Sequence, residues 1–518
     1  MSDEQAFIQG RPRRLAVWLL IAGAMLHLAL AAATDLSPDE AHYALYGAHL
    51  DWSYFDHPAL VGWLQAPFVA AGGTNIDMRV VPMVSWLAAA ALLCVLCRSL
   101  SRASSGEEAP NGGQDDLWVV ALLFLSPLLN LLGVALVPDT LLMPLVPAAM
   151  MATWRLRSDE SLSDWRRWVV LALILGLALL AKYTGLFLAL GALTTLLAFH
   201  GRSLLRVRGA WLAFAMIVLA TSPIFYWNAR HDWSSFAYQS AHAEGGQPWR
   251  LIPLVRAGAL QFLLFGLLLP MAAMRACRRT AGQTATGEEA RRDVRRLCLL
   301  FAMPVLLVFL ALAGRGSSLP HWTACGWIAL VPLAVVGVRE LRRGLLVGAI
   351  LWQTGLIGII VVLIATGGPF SEAGAAARSL AGIRTADARA NPVADLLGWP
   401  AAAAHGSALA ARYGARGLVV MNWSLASRLA WYGRPMPVFV APPRLNQFQL
   451  WFGSLRRGDS AIAIDWSGMP LPIPVGPNGF SRCSPIDQLA TVQHGKQLAH
   501  FNFLLCHDWL GPMGSAPD

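Results

Sequence analysis

Apolar runs of near-spanning length recur along the chain, at roughly 15–33, 79–97, 117–137, 140–154, 168–181, 184–199, 209–227, 251–274, 297–313, 323–338 and 344–366. About 20 apolar residues in a helix cross a bilayer core, so these runs predict membrane helices. The pattern stops near Gly367. Beyond it, short apolar stretches such as Gly417 to Met421 and Val438 to Ala441 alternate with Pro, Gly, Asn and Arg, which predicts a soluble α/β domain. The expected division is a transmembrane domain over 1–366, with an outer loop at 34–78, and a soluble domain over 367–518.

Basic residues cluster between the runs: Arg11, Arg13 and Arg14; Arg98 and Arg102; Arg155, Arg157, Arg166 and Arg167; Arg202, Arg206 and Arg208; several arginines over 275–296; and Arg339, Arg342 and Arg343. The positive-inside rule puts these clusters and the N-terminus in the cytoplasm, and loops 34–78, 228–250 and 314–322 outside. Parity then requires a hairpin over 117–154 with Asp139 at its outer tip. It requires a second hairpin over 168–199, with Ala181 to Gly185 at the apex. Lys182 at an apex avoids most of the cost of a charge in mid-bilayer, about 2.5–3.5 kcal/mol. The count comes to about eleven spans, with the C-terminal domain outside the cytoplasm. The first run follows arginines and lacks a clear small-x-small cleavage site, so it is expected to be a retained helix.

The chain is 56% hydrophobic and 14% charged, against about 25% charged in soluble domains. Its net charge of +10 resides mostly in the topology-setting clusters and does not point to nucleic acid. Of seven cysteines, only Cys483 and Cys506 fall in the outer domain, where a disulfide persists, and they are expected to pair. Cys94 and Cys97 sit late in an apolar helix, a poor setting for metal or redox work.

Chemistry concentrates in TDLSPDEAHYALYGAHLDWSYFDHP, from Thr34 to Pro58. This stretch has no Lys or Arg, and a connecting loop does not need its carboxylates, histidines and aromatics. Ser37-Pro38-Asp39-Glu40 has the form of a helix start, in which Glu40 also fits as the reciprocal half of a capping box. Asp39 would share a helix face with His42 and Tyr43, and the helix dipole favours its ionised form. Such a carboxylate can take a proton from a hydroxyl, orient that hydroxyl, or hold a divalent cation. Val137-Pro138-Asp139-Thr140 repeats this grammar on the outer side, again with capping as the plain alternative. Asp56 and His57 precede an amphipathic stretch, Ala59 to Ala71, expected to lie in the interface. Lys182, beside Tyr183, can meet a phosphate, the alternative being a snorkelling lysine. On the phosphate reading, Lys182→Met is expected to leave expression unchanged or improved, because a buried charge is gone. Arg79, Arg256, Arg315 and His321 are further outer-side groups for an anion or substrate.

With these residues assembled, the chain resembles the GT-C superfamily of integral-membrane glycosyltransferases. It is most similar to the bacterial branch that includes protein O-mannosyltransferase-like enzymes and the aminoarabinose transferase of lipid A. The resemblance covers about 15–340 and rests on SPDEAHYALYGAHLDWSYFDHP, LSPLLNLLGVALVPDT, LALLAKYTGLFLALG and SPIFYWNARHDWSSFAYQ. It implies a polyprenyl-phosphate sugar donor, an outward-facing site, and an essential acid in the first outer loop, which here matches Asp39 beside Glu40. The family's second acidic position matches Asp139. Members differ in metal use, and no clean metal-ligand spacing is visible.

The implied reaction is a single inverting displacement on a lipid, glycan or protein acceptor. Asp39, Glu40 and Asp139 are the expected catalytic group, and Lys182, Tyr183, Arg256 and Arg315 would receive the donor phosphate. His42, Tyr43, Asp56, His57, Arg79 and His321 are expected at the substrates. The alternative is a polyprenyl-lipid or glycolipid transporter, which should carry paired broken helices in two related halves; no internal repeat is found.

Overall fold

The computed structural model describes residues 3–105, 112–244, 248–278, 285–316, 318–368, 393–441 and 445–511. Among the described residues, six helices are long and apolar enough to cross a membrane: Arg11–Ala33, Asn75–Ala103, Tyr183–Arg206, Arg208–Arg230, Glu288–Ala313 and Arg343–Thr366. Two bent pairs, Leu251–Leu264 with Leu268–Cys277 and Pro320–Ala329 with Val331–Val338, raise the number to eight if each is one span. The chain is therefore a multi-pass α-helical membrane protein.

Length and apolarity do not by themselves support the expected count of about eleven. The helices Gly112–Phe124, Pro138–Trp154 and Trp165–Ala181 stand where spans are expected but have only 13, 17 and 17 residues. The apolar run at 117–137 is not one helix. It stops at Phe124, Ser126 caps a five-residue helix, Pro127–Leu131, and extended Val137 then leads into Pro138. Proline at a helix start has no N–H to lose but cannot sit inside the preceding turns, so Pro127 and Pro138 divide the run.

The chain forms two compact units. The first takes in Met1–Ala29, Asp51–Leu64 and Arg79–Ile357; the second takes in Leu30–Leu50, Gln65–Met78 and Gly358–Asp518. In the first unit, ion pairs gather several of the basic clusters at one end. Asp116 lies 3.3 Å from Arg98 and 4.0 Å from Arg13, Asp115 pairs with Arg339, and Glu340 lies 3.7 Å from Arg275.

The second unit is built on a five-stranded mixed sheet of β1 (Leu418–Val420), β2 (Val438–Val440), β3 (Ala461–Trp466), β4 (Phe480–Gln493) and β5 (Lys496–Trp509). The order is β2-β1-β3-β5-β4; β1 is parallel to β2 and β3, and the β3–β5 and β5–β4 pairs are antiparallel. His494 and Gly495 both have positive φ and close the β4–β5 hairpin in two residues. Period-two alternation sends Leu418, Val420, Ile462 and Ile464 to one face and Val419, Ala461 and Ala463 to the other. The first face is covered by the helices Trp399–Tyr413 and Trp423–Tyr432 together with Leu36, Ala41, Ala44 and Leu45. The helix Pro38–Ala48, which carries Asp39, thus belongs to the core of the sheet unit. On the opposite face, Cys483 and Cys506 stand opposite each other on β4 and β5 and form a disulfide.

Candidate active site

Local chemistry fixes Asp39 within the second unit. Pro38 occupies the first turn of the helix Pro38–Ala48, the Ser37 hydroxyl accepts from the Glu40 N–H, and Glu40 Oε2 accepts from the Ser37 N–H at 3.0 Å. The capping box is complete, so Glu40 is engaged as a cap. The strand of chain before it is tied down as well. The Asp35 carboxylate accepts from the Trp399 N–H at 3.1 Å, and the Leu36 N–H donates to the Tyr432 hydroxyl at 2.7 Å. Asp39 itself stays partly exposed in the first turn, at the positive end of the helix dipole. His42 and Tyr43 have a different setting. His42 is buried among Tyr43, Tyr46, Trp423, Phe448 and Trp451, with Nδ1 3.4 Å from the Ser427 hydroxyl. Both side chains are buried within the sheet unit.

The first unit holds the second group of side chains. Asp139 stands in the first turn of Pro138–Trp154 and makes no cap; its Oδ2 accepts from Lys182 Nζ at 2.6 Å instead. Both side chains are buried. Lys182 interrupts the helical hairpin. It is extended, at φ −159° and ψ 146°, between Trp165–Ala181 and the 3-10 turn Tyr183–Gly185, after which Leu186–His200 resumes. The turn closes so tightly that a Cβ at Gly185 would lie 2.3 Å from the Ala178 carbonyl oxygen. From a third element, the 3-10 turn Pro320–Thr323, His321 Nε2 approaches Asp139 Oδ2 to 3.7 Å, and the Trp322 ring lies 5.7 Å from the ammonium. His57 is within electrostatic range of Asp139.

The segment 51–57 is held to the helices that follow Lys182. Trp227 Nε1 donates to Asp51 Oδ2 at 2.9 Å, and Gln239 Nε2 donates to the Asp56 carbonyl at 2.5 Å. Tyr183 shares a hydrogen bond with Ser235 at 2.7 Å. Asp139, Lys182, His321 and His57, picked separately from the sequence, are therefore brought together. Arg79 is buried, whereas Arg256 and Arg315 are exposed. Trp322 and Cys325, which also lies within electrostatic range of Asp139 and Lys182, are new members. Nothing in the spacing of an apolar run marks a Trp or Cys as part of a polar centre.

The electrostatics of the centre are those of a nearly dry ion pair. One ammonium N–H of Lys182 goes to Asp139, leaving two with no protein partner among the described residues. The second carboxylate oxygen, Asp139 Oδ1, is buried and accepts no hydrogen bond among them. Removing either partner would strand a buried charge, which typically costs about 3–5 kcal/mol. The expectation that Lys182→Met preserves expression is thereby overturned, because the lysine compensates a buried carboxylate. Among the described residues, no three or more His, Cys, Asp or Glu side chains are grouped to hold a metal ion.

Comparison with known proteins agrees with this architecture. Residues 56–227 match the family described as dolichyl-phosphate-mannose-protein mannosyltransferase. The lipid A galacturonosyltransferase RgtD of Rhizobium johnstonii is 26% identical over 311 residues, which make up 58% of this chain and 60% of that protein. Crystal structures of ArnT from Cupriavidus metallidurans, in the apo state and bound to undecaprenyl phosphate, superpose with a TM-score of 0.56 at 15% identity. Each superposition covers 94% of this chain and 97% of the other. The fold is GT-C-like, similar to that of ArnT. The chain is similar to these membrane glycosyltransferases and carries a small C-terminal sheet unit.

Proposed function

We propose that the chain is an inverting glycosyltransferase that moves a sugar from a polyprenyl-phosphate donor to a lipid acceptor at the outer face of the inner membrane. The observation that carries this reading is the buried Asp139–Lys182–His321 group at a helix break. A lipid phosphate needs a cation at membrane depth, and an ammonium held by a carboxylate keeps N–H bonds for a phosphate oxygen. The names of the relatives support the same class of donor and acceptor: one acts on lipid A, and a solved structure holds undecaprenyl phosphate.

In this reading Asp39 accepts the proton of the acceptor hydroxyl as its oxygen bonds to the anomeric carbon. The bond from that carbon to the phosphate oxygen breaks, and the electron pair leaves with the lipid phosphate. Lys182 and His321 stabilise the charge that develops there. Glu40 holds the helix start that presents Asp39. One displacement inverts the anomeric configuration. The sheet unit is proposed to lie in the periplasm and the N-terminus in the cytoplasm.

The test is transfer by the purified, reconstituted protein from polyprenyl-phosphate sugars to lipid A, followed by mass spectrometry, with envelope glycolipids of a deletion strain in parallel. A glycosylated lipid and released polyprenyl phosphate are expected. The two bent helix pairs are a feature shared with transporters. Movement of the intact lipid-linked sugar across the bilayer, with the anomeric bond unbroken, would establish that reading instead.

A further inference from the structure

The helix Leu251–Leu264 has one buried residue, and it is a glutamine, Gln261. Trp327 Nε1 donates to Gln261 Oε1 at 2.8 Å and the Thr323 hydroxyl donates to the same oxygen at 2.5 Å. Gln261 Nε2 donates to the Pro320 carbonyl at 3.4 Å. An indole N–H only donates, so the amide oxygen must face Trp327. The Thr323 hydroxyl lies within reach of both the Gln261 amide oxygen and, at 2.9 Å, the Pro320 carbonyl, which the amide N–H also approaches. Three groups from both ends of Pro320–Trp327 thus converge on one side chain of another helix. Between them stands His321, 3.7 Å from Asp139.

We infer that Gln261 is a positioning residue that sets the place of His321 at the Asp139–Lys182 centre. The inference rests on the reading of that centre as the holder of the donor phosphate. His321 sits on a single 3-10 turn, whose own hydrogen bonds are few and strained in geometry. Burial in an apolar helix bundle makes the amide contacts hard to replace by water, so the glutamine decides where the turn lies.

The test uses the full-length protein in detergent and undecaprenyl phosphate as the probe, with binding and thermal unfolding measured in parallel. Gln261→Leu keeps the volume and removes all three contacts; it should raise Kd about five- to tenfold. In a His321→Ala background, Gln261→Leu should add less than about twofold, because the two act through one path. Trp327→Phe, which removes one donor from the other side, should move Kd in the same direction if Gln261→Leu does not fold. A lowered melting temperature with unchanged Kd would make Gln261 merely structural and overturn the inference, as would full additivity with His321→Ala. If His321→Ala weakens binding and Gln261→Leu does not, this inference alone falls. If His321→Ala leaves Kd unchanged, the phosphate reading falls and the inference with it.

Discussion

The ammonium of Lys182 lies 2.6 Å from the carboxylate of Asp139, and both side chains are buried. The two residues are 43 positions apart and each interrupts or begins a helix, so neither is a local accident of sequence. At short range in a medium of low dielectric, each charge is the condition for the other.

Single substitutions should therefore cost more than a double one. Lys182→Met and Asp139→Asn should each destabilise the protein by about 3–5 kcal/mol, and Lys182→Met/Asp139→Leu should recover much of that. All three should lose transfer. Thermal unfolding in detergent separates the two effects; additive destabilisation in the double variant would refute mutual compensation.

Asp39 and Glu40 should behave differently although they are neighbours. Asp39→Asn should fold normally and lose nearly all transfer. Glu40→Gln, which can still accept from the Ser37 N–H, should retain most activity and lose about 1 kcal/mol or less. Wild-type turnover in a well-folded Asp39→Asn protein would remove the proposed base.

Gly185 is a steric requirement of the Lys182 break. A Cβ there would lie 2.3 Å from the Ala178 carbonyl oxygen. Gly185→Ala should displace the turn, lowering both melting temperature and donor affinity. Unchanged values for both would mean that the turn relaxes without moving Lys182.

Cys483 and Cys506 close a loop with a sequence separation of 23 residues. On the chain-entropy model the bond stabilises the sheet unit by about 3 kcal/mol. Thiol labelling of the unfolded, unreduced chain should leave both unmodified, and reduction should lower the unfolding temperature. Labelling of both before reduction would show that the bond does not form.

The sheet unit should also be sensitive to mild acid through His49. Burial, and secondarily the Arg434 charge, hold the His49 imidazole below its ordinary pKa of 6.5. The unfolded chain then binds the proton more readily, so stability is full above about 6.5 and falls as the pH drops below it. His49 stacks on Trp451 at 5.0 Å, so His49→Phe keeps the ring contact. That variant should flatten the unfolding profile below about pH 6.5. An equally steep acid loss in His49→Phe would assign the effect elsewhere.

Apolar run lengths, capping motifs and the placement of arginines marked the helical membrane class, the Pro-led starts of the helices bearing Asp39 and Asp139, and the break at Lys182. These follow from local chemistry: bilayer-length apolar runs, capping residues, and the cost of a charge among apolar neighbours. Tertiary structure decided what local rules cannot reach. It gave the helix Pro38–Ala48 to the C-terminal sheet unit, because Ala41, Ala44 and Leu45 find their apolar partners on Trp423–Tyr432. It set His42 among the aromatic side chains of the sheet unit, since helix faces show which side is apolar but not what covers it. It also joined Lys182 to Asp139 and His321, and placed Gln261 behind His321. Such pairings depend on which helices become neighbours, and a buried charge or amide selects its partner only after packing has excluded water.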